Sequence, residues 1–252
     1  MPAAFDWHTR FQQQVLWTKE LRNFLYPLIH LRNSRRVLEV GCGTGALLSE
    51  LSGSTRATIH GLDLNRGHLF QAREHAPHSR LVQGDALRLP YPDGAFDISL
   101  CHFLLLWVKD PAQAVREMKR VTRPGGYVLA LAEPDYGGRM DYPLELGQLG
   151  QWQRDSLARQ GADPGLGRRL AEIFHQAGFS PVHLGLLGGQ WTLPQPPGSW
   201  QSEWATLEAD LQLIPELWKP EQLERLKQLE IDSRQRGERL LYVPTFYAYS
   251  IA

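Results

Sequence analysis

Short β-branched runs alternate along the first half of the chain with stretches whose apolar residues recur every three to four positions. Arg36 to Val40 is a β-branched run that ends in glycines, and Ala46 to Leu51 follows with helical character, stopped by Gly53. Ala57 to Leu62 predicts a second strand. Arg66 to His75 predicts a second helix, closed by Pro77. Arg80 to Gln83 is a short third strand, Pro90 to Gly94 a turn, and Phe96 to Cys101 a fourth strand. Asp110-Pro111 opens a helix, because Asp can cap and Pro fits the first helical position. That helix carries Val115, Met118 and Val121 inward and ends at Pro124-Gly125-Gly126, before a fifth strand from Tyr127 to Ala132. Strands separated by helices predict right-handed βαβ units, hence an α/β fold with a parallel sheet covered on both faces.

The flanks are less regular. At the start, Trp7 to Arg22 reads as one helix with Phe11, Val15, Thr18 and Leu21 inward. Residues 134–165 are rich in Gly and Pro, with a helix from Leu144 to Arg159. Leu170, Ile173, Phe174 and Ala177 sit at helical spacing before Gly178, and Ser180 to Leu187 suits a strand. Residues 194–198 break all regular structure. Trp200, Trp204, Leu207 and Leu211 form one helical stripe. Pro220-Glu221 opens another helix with Leu223, Leu226 and Leu229 inward. Five acids and five bases lie between Glu221 and Arg239, which reads as a solvated face. Leu240 to Ile251 predicts a last strand returning to the sheet.

Composition narrows the function classes. The 252 residues carry 27 basic and 27 acidic side chains, and 42% are hydrophobic, so a disordered chain is excluded. With no basic surplus, a nucleic-acid partner is not expected. Two cysteines cannot make a disulfide scaffold. Apolar runs such as Phe103 to Val108 fall far short of the roughly 20 residues a membrane span needs. The start Met1-Pro2-Ala3-Ala4-Phe5-Asp6 lacks a basic-then-apolar signal, so a soluble cytoplasmic protein is expected. Of eight Trp, only Trp107 falls between residues 35 and 135. The other seven would line an apolar pocket or seal a small cap.

The richest segment is Val37-Leu38-Glu39-Val40-Gly41-Cys42-Gly43-Thr44-Gly45. A strand runs into a turn whose glycines allow a sharp bend and close ligand approach, and the helix behind it offers free N–H groups. Asp63 closes the second strand, where an acid can accept both hydroxyls of a ribose; a helix cap is the alternative. Asp85, in Gly84-Asp85-Ala86, could face an adenine amino group or close an Asx turn. The loop reads G-x-G-x-G with Ala46 in the third-glycine place of the dinucleotide fingerprint, and no G-x-x-x-x-G-K-[ST] occurs. No His or Cys spacing suits a metal. The ligand read from these residues is an adenosine carrier without a pyrophosphate.

Val37 to Gly45 resembles motif I of the class I S-adenosylmethionine-dependent methyltransferases. Asp63, Gly84-Asp85-Ala86, the segment from Phe96-Asp97 to Trp107, and Arg123-Pro124-Gly125-Gly126-Tyr127 match that family in order and spacing, over about residues 36–132. Arg169 to Phe179 resembles its next helix. The chain is most similar to the small-molecule branch, near the quinone-biosynthesis C-methyltransferases. The resemblance implies a Rossmann-like, seven-stranded, mostly parallel sheet with an antiparallel last strand, helices on both faces and a small, mainly helical cap. It implies one methyltransferase domain over 1–252, with a cofactor-binding core at 35–133 and cap segments at 1–34, 134–165 and 194–239. S-adenosylmethionine would be the cofactor and S-adenosylhomocysteine the product. Glu39, Gly41, Cys42, Gly43 and Gly45 would line its methionine portion and Asp63 would hold the ribose. Leu64 would lie against the adenine, Asp85 and Ala86 at the adenine edge, and Cys101, His102 and Phe103 beneath the cofactor.

Methyl transfer from a sulfonium needs orientation and dryness, and a base only where the acceptor must lose a proton. No catalytic residue is assigned. His102 is the best-placed titratable group, followed by Glu133, Asp135 and Tyr136. Cys42 reads as a packing residue. Arg10 and Gln14 could reach the cofactor if the first helix folds over the site. No Asn/Asp-Pro-Pro-aromatic tetrad follows the fourth strand, which favours a small-molecule acceptor. A catalytically silent cofactor-binding or partner-binding subunit and an NAD(P)-dependent oxidoreductase are the alternatives.

Overall fold

Arg36–Val40 (β1) takes the centre of a sheet because Val37, Leu38 and Val40 are all buried, so both of its faces are covered. The computed structural model describes residues 6–188 and 200–252. β1 pairs in parallel with Thr58–Asp63 (β2) and Phe96–Cys101 (β4); β2 pairs with Arg80–Gln83 (β3), and β4 with Thr122–Pro134 (β5). His183–Leu186 (β7) runs antiparallel to Thr245–Ile251 (β9), completing a seven-stranded sheet of order β3-β2-β1-β4-β5-β9-β7. The expected fold is the observed one.

The chain divides into two compact units. The first holds Met1–Glu133, Arg168–Leu187 and Phe246–Ala252. Its helices are Trp7–Trp17 (α1), Lys19–Leu28 (α2), Ala46–Ser54 (α3), Arg66–His75 (α4), Pro111–Val121 (α5) and Leu170–Gln176 (α7). Leu47, Leu48 and Leu51 of α3 pack with Val37, Ile59 and Ile98 of the strands, while Leu21, Leu25 and Ile29 join the same core. Local chemistry sets the boundaries. Asn65 caps α4 by accepting from Gly67 and His68 N–H, and Asp110 caps α5 from Gln113.

Three boundaries depart from expectation. Gly53 does not stop α3, which runs on to Ser54. Pro124-Gly125-Gly126 does not end α5, because α5 already stops at Val121 and these residues lie in extended β5, where Gly125 takes φ +75°. The helix expected from Trp7 to Arg22 is two helices. Thr18 (φ −103°, ψ 9°) leaves helical geometry and turns its hydroxyl back to the Gln14 and Val15 carbonyls.

The second unit holds Pro134–Gly167 and Gly188–Thr245. It contains Met140–Tyr142 (β6), Gly147–Arg159 (α6), Gln201–Leu211 (α8), Pro220–Gln235 (α9) and Leu240–Tyr242 (β8). Trp152 and Trp204 are buried with Leu146, Leu149, Leu207, Leu211, Ile214 and Leu226; Trp200 and Trp218 pack at the edge. The indole N–H of Trp218 donates to the Leu211 carbonyl at 2.9 Å. These four Trp therefore build the core of the helical unit. Trp191 and the break expected at residues 194–198 lie outside the described residues.

Leu240 to Ile251 is not one strand. Val243-Pro244 divides it, and β8 pairs antiparallel with β6 as a separate two-stranded sheet. Nor is the charged stretch from Glu221 to Arg239 wholly solvated. Arg239 and Glu230 are buried and bond each other at 2.6 Å; Arg239 also reaches Asp141 Oδ1 at 2.7 Å, and Asp141 holds Arg139 Nε at 2.8 Å. Arg234 Nε bonds the second oxygen of Glu230 at 2.7 Å. Burial is tolerated because every charge has an opposite partner in hydrogen-bond contact. No described helix is long and apolar enough to cross a membrane.

Candidate functional site

The carboxyl ends of β1, β2, β3 and β4 bring the sequence-predicted residues to one edge of the sheet. All three loop glycines take positive φ: +75° at Gly41, +51° at Gly43 and +83° at Gly45. The loop is tied to β2, since the Gly41 and Cys42 N–H groups both donate to the Leu62 carbonyl, at 2.7 and 3.0 Å. It is also tied to Asp63, whose Oδ2 accepts from Gly43 N–H at 2.8 Å and whose Oδ1 accepts from Asn65 N–H at 2.8 Å. Asp63 thus bridges the loop and the end of β2, while Asn65 is the residue that caps α4. Each Asp63 oxygen keeps a lone pair for another donor.

Leu64, beside Asp63, is 69% exposed, an apolar side chain held in the open at the site's mouth. Asp85 closes an Asx turn by accepting from Leu87 N–H at 2.9 Å, with Ala86 half-buried next to it. Cys42 and Cys101 are buried free thiols, both pushed up from the usual thiol range chiefly by burial, so neither is a thiolate nucleophile.

Glu39 is 3% exposed at the end of β1, and its Oε2 accepts no hydrogen bond. Burial, with the charge of Asp63 added, pushes its carboxyl up to about 8. A buried orphan oxygen beside a glycine cradle fits a ligand that brings a donor group. The fit to an adenosyl amino acid is therefore consistent at both ends: a carboxylate with spare acceptor capacity at Asp63, and a carboxyl with an unpartnered oxygen at Glu39.

Of the residues that α1 and α2 bring here, the sequence pattern marks Phe11 and Thr18 as inward and Arg10 as able to reach the site, but not His8 or Arg22. His8 Nδ1 lies 2.8 Å from Thr44 Oγ1, and its ring stacks on His75 with centroids 3.4 Å apart. The Phe11 ring abuts Gly43 and meets His68 edge-on. Arg10 lies over the Trp17 ring at 4.6 Å. Arg22 is buried and gripped by Glu50 at 2.5–2.6 Å. It also donates to Thr18, whose Oγ1 is 2.9 Å from His102 Nε2. Burial, with the Arg22 charge added, pushes the His102 imidazole down to about 3, so it is neutral at ordinary pH. No spacing rule links residues 28 or 84 apart, so only the fold reveals these pairs.

Glu133, read from the sequence as a titratable candidate or a loop cap, is a cap. Its two oxygens accept from the backbone N–H groups of Leu104, Leu105 and Leu106, at 3.0, 2.9 and 3.2 Å, closing the turn that follows β4. Asp135 likewise caps the turn at Tyr136, accepting from Gly137 N–H at 3.1 Å. Glu133→Ala is expected to destabilise the fold by about 2–3 kcal/mol, since buried N–H groups lose their acceptor. Burial lifts the Glu133 carboxyl from 4.5 to about 7, so the folded state binds its proton more tightly than the unfolded chain. Its contribution to stability then falls as pH rises through that window. Denaturant melts at pH 5 and 7.5 should show a shallower pH slope in Glu133→Gln; an unchanged slope would contradict this burial effect.

A family model described as a methyltransferase domain matches residues 38–130. The demethylmenaquinone methyltransferase of Listeria monocytogenes is 30% identical over 197 residues, covering 68% of this chain and 79% of that protein. The methyltransferase GfsG of Streptomyces halstedii is 35% identical over 123 residues, 46% of this chain. The chain spans about half or less of its two streptomycete relatives, 44% of GfsG and 48% of a Streptomyces fradiae transposon protein. Among solved structures, Haemonchus contortus phosphoethanolamine N-methyltransferase 2, bound to S-adenosylhomocysteine, shares the fold at TM-score 0.61 and 15% identity, covering 95% of this chain and 57% of that one. With the glycine loop, the Asp63 bridge and these relatives in view, the chain belongs to the S-adenosylmethionine-dependent methyltransferases.

Proposed function

We propose that this protein transfers a methyl group from S-adenosylmethionine to a small-molecule acceptor by in-line displacement. The observation that carries the reading is the three-glycine loop at β1, bonded through Gly43 N–H to Asp63 at the end of β2. When bound, the cofactor supplies an electrophilic methyl group on its sulfonium. Gly41, Cys42, Gly43 and Gly45 admit its amino-acid portion closely, with Glu39 behind them. Asp63 accepts the ribose hydroxyls, Leu64 covers the adenine, Asp85 and Ala86 meet its edge, and Cys101 and His102 underlie it. His102 is held neutral and engaged with Thr18, so it orients by hydrogen bonding and is too weak a base to take an acceptor's proton at neutral pH. Zero net charge supports a small acceptor over a polyanion.

Calorimetric titration with S-adenosylhomocysteine and with NAD tests the cofactor, and methyl transfer into a metabolite pool tests the reaction. Binding of NAD alone would overturn the reading. Tight S-adenosylhomocysteine binding without any transfer would point to a silent subunit. Asp63→Ala is expected to weaken S-adenosylhomocysteine by about 1–3 kcal/mol, the cost of unpairing ribose hydroxyls. Unchanged affinity in the folded variant would remove Asp63 from the site.

A further inference from the structure

Three carboxylates and one guanidinium converge behind the glycine loop. Glu39 of β1 is buried with its Oε2 unpartnered. The charges of Asp63 from β2, Glu50 from α3 and Arg22 from α2 all act on it. Arg22 is the one cation of the group, and four of its five N–H donors are engaged away from Glu39. Nε and Nη2 bond the Glu50 oxygens at 2.6 and 2.5 Å, Nη2 also bonds the Val15 carbonyl at 2.7 Å, and Nη1 bonds Thr18. Among the described residues, Tyr26, Cys42, Cys101 and His102 add no positive charge. The Tyr26 hydroxyl of α2 donates to Glu50 Oε1 at 3.1 Å, and burial holds it and the thiols of Cys42 and Cys101 in their neutral forms. His102, which follows β4, is neutral as well.

With all three acids ionised, the cluster would hold two uncompensated negative charges, one of them on the buried Glu39, a cost avoided when that carboxyl keeps its proton. Glu39 is the acid whose buried Oε2 has no donor, and burial pushes its carboxyl up to about 8, so it is the one that keeps the proton. A ligand ammonium in the glycine cradle would supply both the missing donor and the missing charge. We propose that uptake of a ligand carrying a primary ammonium beside the glycine loop expels the proton of Glu39 to solvent, so that cofactor affinity is coupled to pH. The Glu39 carboxyl becomes a carboxylate, the ammonium keeps its three protons, and one proton enters the buffer. This coupling rests on the reading of the cofactor as S-adenosylmethionine, whose amino-acid end carries such an ammonium.

The test is calorimetry of the full chain with S-adenosylhomocysteine between pH 6 and 8.5, in two buffers of different ionisation enthalpy. Close to one proton released per ligand is expected at pH 7, with Kd weakening by about tenfold per unit of pH lowered from 7.5 to 6. 5′-Methylthioadenosine, which lacks the ammonium, is expected to bind with no proton release. Glu39→Gln should bind S-adenosylhomocysteine more weakly than the parent at pH 8, with a flat pH response. His8, His68 and His75 also stand near the loop, so a Glu39→Gln protein that keeps the parent's pH response would overturn the proposal. Binding of S-adenosylhomocysteine to the unaltered chain with no buffer dependence would overturn it too, while leaving the methyl-transfer reading intact. Failure of S-adenosylhomocysteine to bind at any pH would instead remove that reading, and the coupling with it. If the variant does not fold, the contrast between the two ligands on the unaltered chain decides.

Discussion

Gly43→Val is expected to abolish S-adenosylhomocysteine binding, a loss on the order of 100-fold or more, equivalent to about 3 kcal/mol. Two effects combine. Gly43 sits at φ +51°, where a β-branched residue is strained. A Cβ there would also lie 2.9 Å from Phe11 Cε2, so either the loop or α1 has to shift. A loop shift reaches Asp63, because Gly43 N–H is one of its donors. The ribose acceptor and the amino-acid cradle would then be disturbed together, while Val37, Leu38 and Val40 remain packed beneath. Circular dichroism should report an intact fold and calorimetry no binding. Affinity within threefold of the parent would show that the loop is not the cofactor cradle. Gly43→Ala should fall between the two, having the strained φ but a smaller side chain.

Asp141→Ala is expected to cost about 3–5 kcal/mol of stability in the second unit. Asp141 is the shared counter-ion of Arg139 and Arg239, both nearly excluded from water. Truncation leaves two guanidiniums close together with Glu230 as the remaining carboxylate on Arg239 and neutral oxygens such as that of Gln153 for the rest. The same deletion in an exposed pair such as Arg236 and Glu238, 2.8 Å apart, should cost well under 1 kcal/mol. Intrinsic fluorescence is a direct readout, since Trp152 and Trp204 are buried in this unit's core. A shift of less than 1 kcal/mol in the fluorescence-detected transition would show that the network contributes little.

The contrast between these two sites explains what the amino-acid order reveals. Around Gly41 to Gly45 the governing chemistry is local. Turn glycines, the strand before them, the helix after them and the acid at Asp63 all lie within a few tens of residues, and each βαβ unit repeats that logic. Strand and helix boundaries such as Arg66 to His75 and Phe96 to Cys101 therefore follow from pattern and caps alone. The second unit is different. Arg239 looks solvent-exposed in its own neighbourhood, because its counter-ion Asp141 stands 98 residues earlier. The pairing of β6 with β8 is equally remote, and Pro244, which divides β8 from β9, is easily absorbed into the aromatic run that follows. At the site itself, Glu39, Asp63 and His102 are legible from motif order. Their neighbours Thr18, Arg22 and Glu50 are not, since nothing in helical periodicity says which buried polar groups will meet.

The chain passes between its two units four times, after Glu133, Gly167, Leu187 and Thr245. The helical unit is consequently a poor cassette for recombination. A crossover anywhere in residues 168–187 would inherit Asp141 and α6 from one parent and α8, α9 and Arg239 from the other, splitting both the tryptophan core and the ionic network. Chimeras of this chain with its relatives should survive only when 134–167 and 188–245 travel together, and single-segment exchanges should fail even between parents that each fold well.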